Sequence, residues 1–478
     1  MTDTLSALDA LFLELEQLDE GALMSIGATM VFDPRGEPEP APTIDELRAT
    51  LAGRLGALPR YAQRLSDTRV GGLSWPHWER DPEFDIRNHV RHAALPAPGG
   101  DRQLCEWTAE FFSRPLDRTR PLWEIVLLNG LEHGRWALCH KVHHCLVDGV
   151  GSVDLVGLLL DEQPDGPRTR TADALPATPE GGARRSPRWR APEAVAQGAS
   201  AGAHAAEAAL HAAVHPREAL GRARAVADLI VRDELIGAPR TSLNVPIGQA
   251  RRFAIVRGRF EELRAIGHEL DASFNDVMLA GCAGGLRALL SERGEPLPPG
   301  GLRAMVPVNL RTGSDARARG NRVSSLFVEL PVAEPDAAER VRQIAVRTGE
   351  LKAAGAARGP TAMIDLAGMA PPIVNEAALA QTALYRRLFN VTITNVAGSP
   401  APAYAFGSEL RDVLPIVPLA AEHAVGISIL SYNGMVSVGI NADRDSVPDL
   451  DVLADGIEES LKELVGLAGQ RSAGASPP

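Results

Sequence analysis

The sequence predicts an α/β protein of two domains, and three observations predict it. The chain has 478 residues, beyond the size at which a single hydrophobic core stops growing. Short β-branched runs occur alongside stretches whose apolar residues recur every three or four positions, the signatures of strands and helices in a mixed-sheet protein. From residue 161 to about residue 240 that pattern gives way to a different composition. The expected division is an N-terminal domain over 1–160, a linker over 161–240, disordered and then helical, and a C-terminal domain over 241–478.

After an opening helix, Ala22 to Phe32 reads as a strand closed by the turn residues Asp33, Pro34 and Gly36. Thr43-Ile44-Asp45-Glu46 has the form of a capping box, in which the Thr43 hydroxyl and Glu46 carboxylate satisfy end amides reciprocally. Ile44, Leu47, Leu51, Leu55 and Leu58 continue it as one apolar stripe. Ile125–Leu128 and Arg135–Val142 are two further strands, and the run after Gly151 (SVDLVGLLL) has the all-round apolarity of a buried helix.

Residues 161–192 are rich in Pro, Gly, Arg and Thr, with a basic cluster of Arg184, Arg185, Arg188 and Arg190, as in an exposed linker. Ala-rich helical sequence follows to Leu235. Strands are then expected at Phe253–Phe260, Leu302–Val308, Val323–Leu330, Val391–Asn395, Val425–Leu430 and Met435–Asn441. A last helix is expected over Asp449–Val465, where Leu450, Leu453, Ile457, Leu461 and Leu464 share a face.

Bulk properties exclude some functions. A formal net charge of -12 argues against a nucleic-acid surface, which leaves a basic excess. Cys105, Cys139, Cys145 and Cys282 form no CxxC pair, which points to a reducing compartment without disulfides or zinc fingers. The acidic start MTDTLSALDALFLELEQLDE is unlike a secretory signal. No apolar run reaches the ~18 residues of a spanning helix. A cytoplasmic protein is expected, with any membrane contact peripheral.

One segment concentrates chemistry. His143, His144 and Asp148, with Gly149 and Gly151 following, fall between a strand and a buried helix, where side chains are held rigidly yet within reach. Imidazole titrates near neutrality, so His144 has the chemistry to take and return a proton. The pattern alone leaves three readings open: a catalytic histidine, a structural one, or a metal site drawing on His140, His143, His144 and Asp148. Farther along, Ser273 and Asp276 signal a helix start that places Asn275 in the first turn, at the positive end of the dipole. Its amide either donates to an oxyanion or simply holds that turn.

Six blocks in order, HHCLVDG among them, resemble the bacterial wax ester synthase/diacylglycerol acyltransferase family, of the chloramphenicol acetyltransferase-like superfamily. LSALDALFLELE (Leu5 to Glu16) resembles its opening LSxxDxxF segment, RPLWE (Arg120 to Glu124) its PLWE block, and HHCLVDG its HHxxxDG motif. SFNDVMLA (Ser273 to Ala280) is similar to its ND block, and PVNLR (Pro307 to Arg311), then Gly320 and Asn321, to another. TNVAGSP (Thr394 to Pro400) is similar to SNVPGP, with Thr and Ala replacing Ser and Pro.

The resemblance implies two chloramphenicol acetyltransferase-like domains, each a mixed sheet flanked by helices, with an active-site tunnel between them. It implies an O-acyltransferase that moves a long-chain acyl group from acyl-CoA to diacylglycerol or a long-chain alcohol. His144 would be the general base, His143 a neighbour that positions or lines the site, and Asn275 the oxyanion donor. Asp148 and Gly149 would be structural, Asp148 paired with Arg311. PLWE is expected to pack. Acyl-CoA is then a substrate, no cofactor or metal is required, and lipid acceptors imply peripheral contact with a membrane or lipid droplet. The alternatives are a stand-alone condensation enzyme and a non-catalytic lipid-binding relative.

Overall fold

The computed structural model describes residues 3–5, 7–34, 41–66, 76–146, 155, 157–164, 237–309, 323–353 and 388–474. The first half holds β1 (Asp3–Thr4), α1 (Ala7–Leu18), β2 (Ser25–Asp33), α2 (Ile44–Arg54), β3 (Gln63–Leu65), β4 (His77–Arg80), β5 (Val90–Ala94), α3 (Asp101–Phe112), β6 (Trp123–Asn129) and β7 (Trp136–His143). The second half holds β8 (Arg251–Arg259), α4 (Phe260–Glu269), α5 (Phe274–Glu292), β9 (Leu302–Asn309), β10 (Val323–Leu330), α6 (Ala337–Ala353), β11 (Val391–Ala397), β12 (Tyr404–Ala405), β13 (Ser408–Ile416), β14 (Val425–Tyr432), β15 (Met435–Asp443) and α7 (Leu450–Gly474).

Two six-stranded sheets organise these elements, in the orders β12-β13-β2-β7-β6-β5 and β10-β9-β11-β14-β15-β8. Both mix parallel and antiparallel pairs: β5 runs parallel to β6 and β11 parallel to β9 and β14. A three-stranded sheet, β1-β4-β3, lies apart from them. The second sheet packs with α5, α6 and α7 around one apolar cluster. Gly285 brings α5 against α7: a Cβ there would meet Ile457 Cγ1 at 2.4 Å and the Leu453 carbonyl at 2.7 Å. In the first sheet, even-numbered β7 residues such as Leu138 and Val142 enter the cluster shared with Leu47 and Leu51 of α2. Ala137 and Cys139 enter a second cluster with Phe111 and Phe112 of α3, as strand alternation requires.

The second half lends strands to the first sheet. β13 comes from the second half yet pairs antiparallel with β2, from Glu409 against Asp33 to Ile416 against Gly27, with a bulge between Leu410 and Asp412. Beyond the bulge its chain crosses the second sheet closely. The Pro415 carbonyl accepts from Ser428 Oγ at 2.7 Å, and the Val417 carbonyl accepts from Asn441 Nδ2 at 2.9 Å. Gly439 makes the crossing possible, because a Cβ there would stand 1.9 Å from the Pro415 oxygen. The division of the sequence at residue 241 carries no sign of this crossing.

The strands expected from sequence are present, most of them a residue or two longer. The strand expected from Ala22 begins at Ser25 instead, and the helix after Thr43 ends at Arg54, with two 3-10 turns carrying Leu55 and Leu58 onward. The capping box at Thr43 forms: Glu46 N–H donates to Thr43 Oγ1 at 3.2 Å and Thr43 N–H to Glu46 Oε2 at 2.8 Å. α7 runs past the expected end at Val465 to Gly474. The linker, apart from 161–164 and 237–240, lies outside the described residues, as do 152–154 and 156 of the run after Gly151. Asp161, at the linker's expected start, exchanges main-chain hydrogen bonds with Tyr404 at 2.8 and 2.9 Å. Among the described residues no helix is long and apolar enough to cross a membrane.

Candidate active site

β7 delivers the two histidines. It ends at His143, and a 3-10 turn, His144–Leu146, follows. Main-chain bonds pin the junction: His143 N–H donates to the Leu122 carbonyl at 3.0 Å and His144 N–H to the Met24 carbonyl at 2.8 Å. Leu122 belongs to the PLWE block, whose Leu122 and Trp123 are fully buried, with the Trp123 indole donating to the Tyr61 carbonyl at 2.8 Å. That block packs, as expected.

The two histidine rings have different surroundings. His143 is 1 % exposed. Its Nδ1 accepts the Cys145 N–H at 3.1 Å, and its Nε2 lies 3.1 Å from Glu16 Oε2. Because Nδ1 is an acceptor, the proton belongs on Nε2, which donates to the carboxylate. The expectation that this ring lines the site fails for that reason: both nitrogens are engaged in the interior. Burial opposes the charge on Glu16, but His143, the Met24 N–H at 2.9 Å and Arg118 at 3.2 Å outweigh it and lower its pKa to about 2.

His144 is half-buried. Its ring stacks on Phe12 of α1, with centroids 3.8 Å apart and planes at 22°. Burial pushes its pKa down to about 4, with its own main-chain carbonyl pulling weakly upward and His143 adding to the depression. Nδ1 is buried and has no hydrogen-bond partner among the described residues. An imidazole in this state is neutral at physiological pH and free to accept a proton.

His140 lies on β7 with its pKa also pushed to about 4 by burial. It and His143 occupy alternate faces of the strand, and no three His, Cys, Asp or Glu side chains converge on a metal position among the described residues. Asp148, Gly149 and Arg311 lie outside the described residues, so the expected Asp148–Arg311 pair does too.

Asn275 stands in the first turn of α5, whose expected start at Ser273 forms as a capping box: Ser273 N–H donates to Asp276 Oδ2 at 2.9 Å, and Asp276 N–H to Ser273 Oγ at 3.3 Å. Thr348 of α6 adds a 2.8 Å bond to Asp276 Oδ1. The Asn275 Oδ1 accepts from Asn395 Nδ2 at 3.1 Å, which leaves the Asn275 NH2 unspent in that pair. No hydrogen bond or ring contact joins Asn275 to His144 among the described residues: His144 opens the turn after β7, and Asn275 lies in the first turn of α5.

Three residues here carried no role in the sequence reading: Phe12, Glu16 and Asn395. The first two are one turn apart in the opening block, and the third sits inside TNVAGSP; spacing alone assigns them no partner. A cavity of about 670 Å³ lies elsewhere, lined by Val31, Asp33, Asp101, Arg257, Arg411 and Asp412 among others. Val31 is six residues along β2 from Ser25, the partner of His143, roughly 20 Å at about 3.4 Å per residue. Its walls are ion pairs, Arg257 with Asp101 and Asp412, and Arg411 with Asp33.

Residues 5–278 match the family described as the wax ester synthase/diacylglycerol acyltransferase catalytic domain, and residues 319–465 the WS/DGAT C-terminal domain. A Mycobacterium tuberculosis protein named probable diacylglycerol O-acyltransferase tgs1 is 32% identical over 477 residues, covering 98% of this chain and 96% of its own. A second from that organism, named tgs2, is 31% identical over 474 residues, covering 96% and 98%. The solved wax ester synthase/diacylglycerol acyltransferase from Marinobacter aquaeolei VT8 is similar with a TM-score of 0.68 at 28% identity, covering 98% of this chain and all of that one. The first condensation domain of the CDA synthetase shares the fold, with a TM-score of 0.59 at 17% identity over 98% of this chain and 96% of its own.

Proposed function

Since the chain belongs to the wax ester synthase/diacylglycerol acyltransferase family and is an acyltransferase, we propose that it carries a long-chain acyl group from acyl-CoA to the hydroxyl of diacylglycerol or a long-chain alcohol, with His144 as general base. The observation that carries the assignment is the state of His144: a neutral, stacked imidazole at the end of a pinned strand.

In this mechanism the alcohol O–H bond breaks as Nε2 takes the proton, and the oxygen attacks the thioester carbonyl. The tetrahedral oxyanion collapses with cleavage of the C–S bond, and the imidazolium returns its proton to the CoA thiolate. No acyl-enzyme forms. The protein contributes by holding both reactants in register and by meeting the developing charge with a preorganised donor. The Asn275 amide is suited to that task, because its oxygen is occupied by Asn395 and it sits at the positive end of α5.

Both acceptors partition into lipid, so the enzyme meets them at a membrane or droplet surface. Purified protein incubated with palmitoyl-CoA and either dioleoylglycerol or hexadecanol should release free CoA together with triacylglycerol or wax ester. No CoA release with either acceptor would overturn the reaction class, and full activity in His144→Ala would overturn the base. Co-flotation with dioleoylglycerol-containing vesicles tests the surface.

A further inference from the structure

Helix α1 reaches the catalytic turn at two points. Phe12 and Glu16, one helical turn apart, share a face. Their targets are consecutive in the chain: Phe12 covers the ring of His144 and Glu16 binds the ring of His143. Glu16 also holds the turn by a second route. Its Oε2 accepts the Met24 N–H at 2.9 Å, and the Met24 carbonyl accepts the His144 N–H at 2.8 Å.

We propose that Phe12 and Glu16 are the positioning residues of the reaction, Phe12 fixing the ring plane of the base and Glu16 fixing the tautomer of His143 and with it the turn that presents His144. This assignment rests on His144 as general base.

The argument for Glu16 follows the protons. The Cys145 N–H needs an acceptor in the interior, and Nδ1 of His143 supplies it at 3.1 Å. That bond exists only while the His143 proton stays on Nε2, and Glu16 Oε2 keeps it there. Without an acceptor at Glu16, the Nε2–H tautomer loses its partner and the Nδ1–H tautomer becomes competitive, in which the Cys145 N–H faces another N–H. The turn that sets the His144 backbone then loses an interior bond. What the His143 Nε2–H requires is an acceptor; the Met24 N–H and Arg118 bind the same Glu16 carboxylate.

The argument for Phe12 is one of geometry. The His144 main chain is fixed through Met24, but its ring Nδ1 has no hydrogen-bond partner among the described residues to set the ring plane. The stacked Phe12 ring supplies that restraint and keeps water from one face. An aliphatic side chain fills comparable space without setting a plane.

The test compares kcat and KM for palmitoyl-CoA and hexadecanol in four variants, with thermal unfolding as the control for folding. Phe12→Leu should lower kcat about tenfold or more at nearly constant KM, and Phe12→Tyr, which restores the ring, should recover it. Glu16→Ala should lower kcat by a similar factor, while Glu16→Gln, which keeps an acceptor of the same length, should stay within about threefold of the parent. Parent-like kcat in Phe12→Leu would overturn the role of Phe12. Loss in Glu16→Gln as deep as in Glu16→Ala would overturn the role of Glu16, since charge rather than an acceptor would then be required. His144→Ala separates the two levels: if it retains activity the general-base reading fails, whereas if it is inactive and Phe12→Leu is unaffected only the positioning fails.

Discussion

Asn395 donates from its side-chain amide to Oδ1 of Asn275 at 3.1 Å, linking the end of β11 to the first turn of α5. The bond decides which way the Asn275 amide faces, because an oxygen already accepting leaves the NH2 free for another partner. TNVAGSP thus has a physical link to the ND block, although 120 residues separate the two asparagines.

If Asn275 meets the oxyanion, Asn275→Ala should lower kcat by about 10²–10³-fold with little change in KM. Asn395→Asp should approach the same loss: a carboxylate cannot donate to Oδ1, so the Asn275 amide turns to bond it and its NH2 is withdrawn. Steady-state kinetics of both variants check this, and parent-like kcat in Asn395→Asp would refute the link.

The pH dependence follows from His144. A base with its pKa pushed from 6.5 to about 4 by burial is already deprotonated at neutral pH, so kcat/KM should hold level on the acid side until the pH nears 4. An acid limb centred at 6.5 would contradict it.

Stability should fall in two acid windows. Unfolded His144 takes a proton below 6.5 while the folded ring resists until about 4, so protons favour the unfolded chain across that interval. Glu16, lowered from 4.5 to about 2, contributes stability present above 4.5 and lost as the pH falls toward 2. Urea midpoints measured from pH 7 to 3 should decline from about pH 6 downward, and Glu16→Gln should flatten the portion below 4.5.

Lys141 is 1 % exposed and caps the C-terminal end of α3, donating to the carbonyls of Phe111 and Arg114 at 2.9 Å each. Burial lowers its pKa from 10.5 to about 8, against the pull of Glu124. Lys141→Met should cost about 1–3 kcal/mol at pH 7, because two carbonyls lose their donor in the interior. Between pH 8 and 10.5 the unfolded lysine holds its proton more tightly than the folded one, so this group's contribution to stability rises with pH. Chemical denaturation of parent and variant across that range should show the parent's advantage growing.

Arg257 joins three segments: from β8 it reaches Asp412 of β13 at 2.5 Å and Asp101 of α3 at 2.6 Å. Asp412 is 9% exposed, so Arg257→Met should destabilise by about 1–3 kcal/mol. Asp101→Asn, at the half-exposed end of the pair, should cost less than about 1 kcal/mol. A double-mutant cycle of Arg257 with Asp412 should show coupling above about 0.5 kcal/mol, and additivity would exclude a joint there.

The sequence by itself determined whatever depends on neighbours along the chain. The boxes at Thr43 and Ser273 were legible because a cap needs only residues three apart. β7 and its histidines were legible because a strand running into a turn shows in alternation and punctuation. α3 was harder: its N-cap is Gly100, which has no capping side chain. β13 hid behind Glu409, Arg411, Asp412 and Pro415, poor strand formers; β12 pairs only with Ser408 and Glu409, which leaves Pro415 on an edge that tolerates it. Only the tertiary structure decided that β13 completes the first sheet, that Glu16 meets His143 across 127 residues, and that Asn395 meets Asn275. Local periodicity records which face of an element is buried. It does not record which distant element covers that face, because any apolar surface of fitting shape satisfies the same pattern.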